Sequence, residues 1–99
     1  MTMQKIATKD FTAELILEGS WGERRLGKHP SSMELWQGEE AGYAFIEWDI
    51  PALDRTEEIG IWFDRDTKEL TDYDGIFSLP VEAIALLEEN GIKVGEDFH

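Results

Sequence analysis

The sequence predicts an α+β domain: an antiparallel β-meander of four or five strands with one C-terminal α-helix packed on one face. Three observations support this fold class. Two apolar runs with a period of two lie in the middle of the chain, shorter alternating runs bounded by turn residues flank them, and one helical run follows. At 99 residues the chain is expected to form a single domain, residues 1–99, because two domains would each bury too small a core.

The central feature is a pair of strands within residues 42–66. Successive side chains of a strand point to opposite faces of a sheet. The face that we expect to enter the core carries Ile46, Trp48, Ile61 and Phe63. The reverse face carries Tyr43, Phe45, Glu47, Asp49, Trp62 and Asp64. A polar connector, residues 51–58, joins the two strands, which predicts that they are antiparallel neighbours.

Shorter runs on either side extend this pair. Residues 33–37 predict a strand, and a hairpin loop that contains glycine leads from it to the first central strand. Regular pairing would place Trp36 beside the aromatic residues of the reverse face. After the second central strand, Asp64 and Asp66 suit a tight turn, and residues 68–74 predict a last strand.

The N-terminal third is harder to assign. Residues 10–18 alternate like a strand, but their alanine, glutamate and leucine content also suits a helix, so both assignments remain open. Residues 1–9 have no clear period. Residues 20–32 contain two glycines and a His-Pro step, and we expect an irregular connector there.

The clearest helix covers residues 78–91. A serine and a proline suit its first turn, and Val81, Ile84 and Leu87 form an apolar stripe that predicts packing on the sheet. Gly91 is expected to end the helix in a Schellman motif, with the next residue folding back on the last turn.

Charge and composition limit the classes of partner. The formal net charge of −13 disfavours binding to nucleic-acid backbones and anionic membranes, and it favours a basic partner. The charge is uneven, since basic side chains slightly outnumber acids in residues 1–29 whereas acids dominate residues 30–99. The chain has no cysteine, no apolar segment of membrane-spanning length and no secretory signal, so we expect a cytoplasmic protein.

No sequence pattern predicts catalysis. The two histidines, His29 and His99, lack the neighbours of a catalytic triad, and there is no glycine-rich phosphate loop. Residues 72–75 resemble the middle of an EF-hand loop, but Leu70 and Val81 stand at the two positions where carboxylate ligands are most needed. We therefore expect no catalytic residues, no metal site and no cofactor.

The reverse face is the main candidate for an interaction surface. The residues of this face predicted to contact a partner are Trp36, Tyr43, Phe45, Glu47, Trp62 and Asp64. Either the N-terminal third covers this face, or the face is open to a partner. Its acids would repel nucleic acid, which excludes base stacking there. The expected function is a non-enzymatic protein-interaction module that binds a basic protein or a second copy of itself, as a homodimer.

A basic cluster of Arg24, Arg25, Lys28 and His29 gives an alternative. These residues either offset nearby carboxylates in solvent or contact an anion such as phosphate, which would make the protein a small-ligand-binding protein. A further alternative is a nucleic-acid mimic or immunity-type inhibitor, whose acids occupy the basic site of another protein.

Overall fold

The computed structural model describes residues 3–50, 54–75 and 77–95. The elements found there are β1 (Gln4–Gly19), β2 (Gly22–Gln37), β3 (Ala41–Ile50), β4 (Arg55–Asp64), β5 (Leu70–Asp74) and α1 (Val81–Glu89). The order of the strands in the sheet is the order in the chain, and every pair of neighbours is antiparallel. The predicted α+β meander with one C-terminal helix is confirmed.

The predicted central pair, β3 and β4, forms the middle of the sheet. The side chains predicted for the core are fully or almost fully buried: Ile46, Trp48, Ile61 and Phe63. Gly42 pairs with Phe63, and a Cβ atom at Gly42 would overlap the Phe63 ring, so the glycine makes room for the aromatic side chain. Residues 51–53 of the predicted connector lie outside the described residues, and β4 begins earlier than expected, at Arg55.

Helix α1 covers the core on this face of the sheet. Its buried residues are Ala83, Ile84, Leu86 and Leu87, which belong to the same apolar cluster as the sheet residues. Val81 is 75% exposed, so its predicted place in the buried stripe is wrong, because the helical period turns it to the opposite side. Among the described residues, no helix has the length and apolar character needed to cross a membrane.

The end of α1 follows the local signals in the sequence. Gly91 has a φ angle of 80°, which is the left-handed conformation that glycine adopts readily. The N–H of Ile92 donates to the carbonyl of Leu87, and the N–H of Gly91 donates to that of Glu88, both at 3.0 Å. These two bonds confirm the predicted Schellman motif.

The N-terminal third forms a long hairpin of β1 and β2. Residues 10–18 lie within β1, which decides the open assignment in favour of a strand. The irregular connector predicted for residues 20–32 is wrong, because β2 begins at Gly22 and continues through this segment. Gly22 has a φ angle of 110° and turns the chain after two loop residues. Pairing with β1 keeps the first part of β2 extended, although its sequence shows no strand alternation.

The hairpin extends past the rest of the sheet. The pairing of β2 with β3 covers Ser31 to Gln37, and Pro30, just before it, has no N–H for the ladder. Within the described ranges, no strand pairs with the outer edge of β2 from residue 22 to 30. We call residues 16–28 the arm.

A short segment after β5 fastens the base of the arm. Phe77 forms an antiparallel bridge with Leu17, and the N–H of Ser78 donates to the carbonyl of Ile16 at 2.9 Å. The Ser78 hydroxyl also donates to the Glu18 carboxylate at 2.6 Å. The outer edge of β1 is therefore partly covered where the arm leaves the core.

Candidate functional site

Four aromatic residues come together on the reverse face of the sheet. The strand register places Lys5, Trp36, Tyr43, Trp62 and Asp72 in one row across all five strands. The ring centroid of Tyr43 lies 4.8 Å from that of Trp62 and 6.0 Å from that of Phe45. We call Trp36, Tyr43, Phe45 and Trp62 the aromatic cluster. These are the four aromatic residues that the sequence predicts for this face.

The aromatic cluster is partly open to solvent. Trp62 is 37% exposed, and the other three side chains are half-buried. The described part of the N-terminal third, residues 3–29, does not lie over the cluster, because it joins the edge of the same sheet as β1 and β2. The interpretation in which residues 1–29 cover this face is therefore wrong over the described range.

A glycine gives Tyr43 its position. Gly60 pairs with Phe45, and a Cβ atom at Gly60 would lie 3.1 Å from the Tyr43 hydroxyl oxygen and 3.4 Å from the Trp62 ring. The two rings thus lie over the bare backbone at Gly60. Burial raises the pKa of Tyr43, and the carboxylates of Glu58 and Asp74 raise it further. The Tyr43 hydroxyl therefore lies where the aromatic and acidic parts of the face meet.

Trp36 is held by two charged side chains. Its Nε1 donates a hydrogen bond to Glu34 at 3.0 Å. The ammonium nitrogen of Lys5 lies 5.8 Å from the centroid of the Trp36 ring, which is within the range of a cation–π contact. One edge of the aromatic cluster therefore already binds a cation from this chain.

Carboxylates continue the same face beyond the aromatic cluster. The register aligns Asp10, Ser32, Glu47 and Glu58 in one row and sets Asp49 opposite Thr56 in the next. A depression of about 290 Å³ opens there, and Asp10, Glu47 and Asp49 line it. We call Asp10, Glu47, Asp49 and Glu58 the acidic patch. Adjacent negative charges on an open surface attract cationic groups.

Asp64, the remaining predicted residue of this face, serves a turn. Its Oδ1 accepts hydrogen bonds from the backbone N–H groups of Asp66 at 2.8 Å and Thr67 at 2.9 Å. These bonds lower the pKa of Asp64 below its ordinary value. The predicted tight turn is confirmed. In the described part of the chain, no group of three or more His, Cys, Asp or Glu residues could hold a metal ion.

The predicted basic cluster lies on β2 within and next to the arm. Arg25 forms ion pairs with Glu14 at 3.0 Å and Glu23 at 2.9 Å. The hydrogen bond and charge of Glu14, with the charge of Glu23, raise the pKa of Arg25. Because this guanidinium is 61% exposed, its ion pairs add little stability. The carboxylates of Glu14 and Glu23 nevertheless occupy one of the two arginines of the cluster.

The other members of the basic cluster do not converge on one point. Arg24 precedes Arg25 in β2, and the two side chains lie on opposite faces of the hairpin because consecutive strand residues face opposite ways. The ring Nε2 of His29 lies 2.9 Å from the carbonyl oxygen of Leu26, its hydrogen-bond partner. Arg24 and Lys28 form no ion pair with any described residue. His99 lies outside the described residues.

Sequence reasoning missed three members of the candidate site. Lys5 and Asp10 reach it because β1 pairs with β2 along its whole length. Glu58 reaches it because β4 starts within the segment predicted as a connector. The alternation of Glu58 with Gly60 and Trp62 could have extended the second central strand backward. No comparable signal places Lys5 or Asp10.

Known proteins offer no guide to what this face does. No family model matches the sequence, no curated protein is significantly similar to it, and no solved structure matches its fold at a significant level. A function has to be inferred from the aromatic cluster and the acidic patch themselves.

Proposed function

We propose that this protein is a non-enzymatic interaction module whose reverse face binds a basic segment of a partner protein. The observation that carries the proposal is that the aromatic cluster and the acidic patch adjoin on one partly open face. Lysine and arginine can use both features at once, because their alkyl stems cover rings while their charged ends meet carboxylates. A cytoplasmic setting suits a chain without cysteine.

The spacing of the carboxylates suits an extended peptide. Neighbouring strands lie roughly 4.8 Å apart, and alternate residues of one strand lie roughly 7 Å apart. Glu47 and Glu58 are opposite each other on neighbouring strands, and Asp49 follows two residues after Glu47. Alternate side chains of an extended segment share the same spacing of roughly 7 Å. A segment with a cation at every second position would therefore meet successive carboxylates.

The intramolecular contact between Lys5 and Trp36 supports this mode of binding. The ammonium group of Lys5 lies over Trp36, while the more exposed Trp62 has no such cation among the described contacts. A single exposed ion pair or cation–π contact contributes about 0.5–1 kcal/mol. A Kd of 1 mM already corresponds to about 4.1 kcal/mol, so several such contacts have to act together.

Calorimetric titration with two defined peptides tests the proposal. The first is a twelve-residue peptide with lysine or arginine at alternate positions, and the second replaces each basic residue with glutamate. We expect the basic peptide to bind and the acidic peptide not to bind. Trp62→Ala, and separately Glu47→Gln combined with Glu58→Gln, should each raise the Kd by about threefold or more.

A matched variant separates this face from the general negative charge of the chain. Glu88→Gln combined with Glu89→Gln removes the same charge from exposed positions of α1, whose opposite side packs on the core. This control should leave peptide binding nearly unchanged. Equal losses in the control and in the Glu47/Glu58 variant would refute a defined site on the reverse face.

A further inference from the structure

The arm carries three basic and two acidic residues, whereas the acidic patch is wholly anionic. From Glu18 to Lys28 every residue of the arm is exposed, and Trp21 at its tip is 67% exposed. Arg24 and Lys28 carry charges that no described carboxylate pairs with. The acidic patch lies on the same molecule at the end of the sheet from which the arm extends. Arg24 is opposite Leu17 and the Trp21 ring lies over Gly19, so these two side chains share one face of the arm, whereas Lys28, opposite Glu14, lies on the other. A tryptophan beside an unpaired cation is the kind of surface that the reverse face would bind.

We infer that the partner of the reverse face is the arm of a second copy of this chain. The inference rests on the proposed function and names its partner. Reciprocal docking, in which each copy inserts its arm onto the reverse face of the other, gives a closed two-fold dimer rather than an open chain of molecules. Each dimer then contains two identical arm-to-face contacts.

The spacing of two arm side chains matches that of the reverse face. Arg24 is opposite Leu17, and the Trp21 ring lies over Gly19, two residues further along β1, which is a spacing of roughly 7 Å. On the reverse face, the row of Glu47 and Glu58 and the row of Phe45 and Gly60 are also two residues apart. With Arg24 of one copy at Glu47 and Glu58 of the other, Trp21 therefore reaches the aromatic cluster.

The net charge of −13 per chain opposes this association. Repulsion between distant charges is screened beyond roughly 8 Å at an ionic strength of about 0.15 M. Direct contacts between Arg24 and the carboxylates of the acidic patch are shorter than this distance and are screened much less. The test therefore uses a buffer of this ionic strength.

Charge exchange between two variants tests the inference by sedimentation velocity of the full chain. The arm variant is Arg24→Glu, at a position that is opposite Leu17 and on the other face of the arm from Glu14. The face variant combines Glu47→Lys with Glu58→Lys. We expect the wild type to form a dimer, each variant alone to be a monomer, and an equimolar mixture of the two to form a dimer, because both contacts of the mixed dimer pair opposite charges.

The inference is wrong if the wild type is a monomer throughout the accessible concentration range, if either variant dimerises as the wild type does, or if the mixture stays monomeric. Circular dichroism and thermal melting check that the variants fold. Should a charge variant misfold, Trp21→Ala is the substitute, and it should raise the dimer Kd at least about tenfold. An unchanged Kd for Trp21→Ala would also refute the inference.

The basic peptide distinguishes failure of this inference from failure of the proposed function. The arm variant keeps the complete reverse face and should bind the peptide as a monomer. If it binds the peptide while the wild type is monomeric, the reverse face has a different basic partner, and only the inference falls. If it does not bind the peptide, the proposed function itself is wrong.

Discussion

The central strands and the arm have the same antiparallel pairing but differ in what stabilises them. In β3 and β4, alternate side chains such as Ile46 and Ile61 are completely buried against α1 and the rest of the core. In the arm, the residues from Glu18 to Lys28 are all exposed. Strand pairing alone is marginally stable in water, whereas burial of one face makes it robust. The molecule thus combines a rigid sheet with a ribbon attached to it.

This difference suits the proposed roles, in which the reverse face of the sheet binds and the arm of a second copy is bound. A binding face that rests on β3 and β4 is preorganised, because the reverse side of the same strands is fixed by the core. Of the arm residues, only Leu17 packs against the core, so the exposed side chains from Glu18 to Lys28 are available for a partner.

The largest effect is expected for truncation in the central sheet. Phe63 is 1% exposed, and Phe63→Ala should lower the free energy of unfolding by about 3–5 kcal/mol, because it leaves a cavity in the core. Leu26→Ala in the arm, at a side chain that is 39% exposed, should change it by less than about 0.5 kcal/mol. Urea unfolding measures both. Similar losses would show that the arm is as tightly packed as the core.

The second prediction compares two glycines that are needed for different reasons. Gly42→Ala should cost about 1–3 kcal/mol because the new methyl group overlaps the Phe63 ring. Gly22→Ala in the arm meets open space, and its cost of about 1–2 kcal/mol comes from the left-handed backbone.

Second variants at the same sites check each cause. Phe63→Leu shortens the ring that Gly42→Ala would strike, so the combined variant should lose less stability than the two single losses predict. Gly22→Asn should recover part of the loss, because asparagine tolerates the left-handed conformation. Additive losses at Gly42 and Phe63 would show that the clash is not the cause.

The sequence predicts the central sheet because burial of one face leaves a visible pattern in each strand. Apolar residues alternate in residues 43–50 and 59–63 because one face is buried, and Gly91 is a local signal for the end of a helix. The same reasoning identifies the aromatic cluster, since strand alternation decides which side chains share a face. All four of its residues are found together.

The arm could not be predicted in this way. Residues 22–28 are almost wholly exposed on both faces, so no burial exists to impose alternation on the sequence. Their strand is fixed by pairing with β1, which is information from another part of the chain. The contribution of Asp10 to the acidic patch depends on a register with irregularities near Lys5 and Glu14, and the sequence does not reveal such shifts.

The third prediction concerns the base of the arm. Ser78→Ala removes the hydrogen bond of 2.6 Å to Glu18 and should cost about 0.5–1.5 kcal/mol. The loss should be local, so hydrogen exchange should accelerate for arm amides such as that of Arg24 and change little for Ile46 in β3. Glu18→Gln keeps an acceptor and is the matched control. Equal acceleration in both regions would mean that the arm and the central sheet unfold as one unit.

The smallest effect is a pH dependence confined to the turn between β4 and β5. Two backbone hydrogen bonds lower the folded pKa of Asp64 below its ordinary value of 3.8. A lowered folded pKa means that the carboxylate stabilises the protein above about pH 4 and that this stabilisation is lost as the pH falls through the folded pKa.

Asp64→Asn isolates this contribution because the amide keeps an acceptor oxygen but cannot ionise. The wild type should be more stable than the variant at neutral pH, and the difference in unfolding free energy should shrink as the pH falls below about 4. Trp21→Ala, at the uncharged turn of the arm, should show no such trend. A difference between wild type and Asp64→Asn that stays constant with pH would show that the shape of the turn, and not the charge of Asp64, causes the difference in stability.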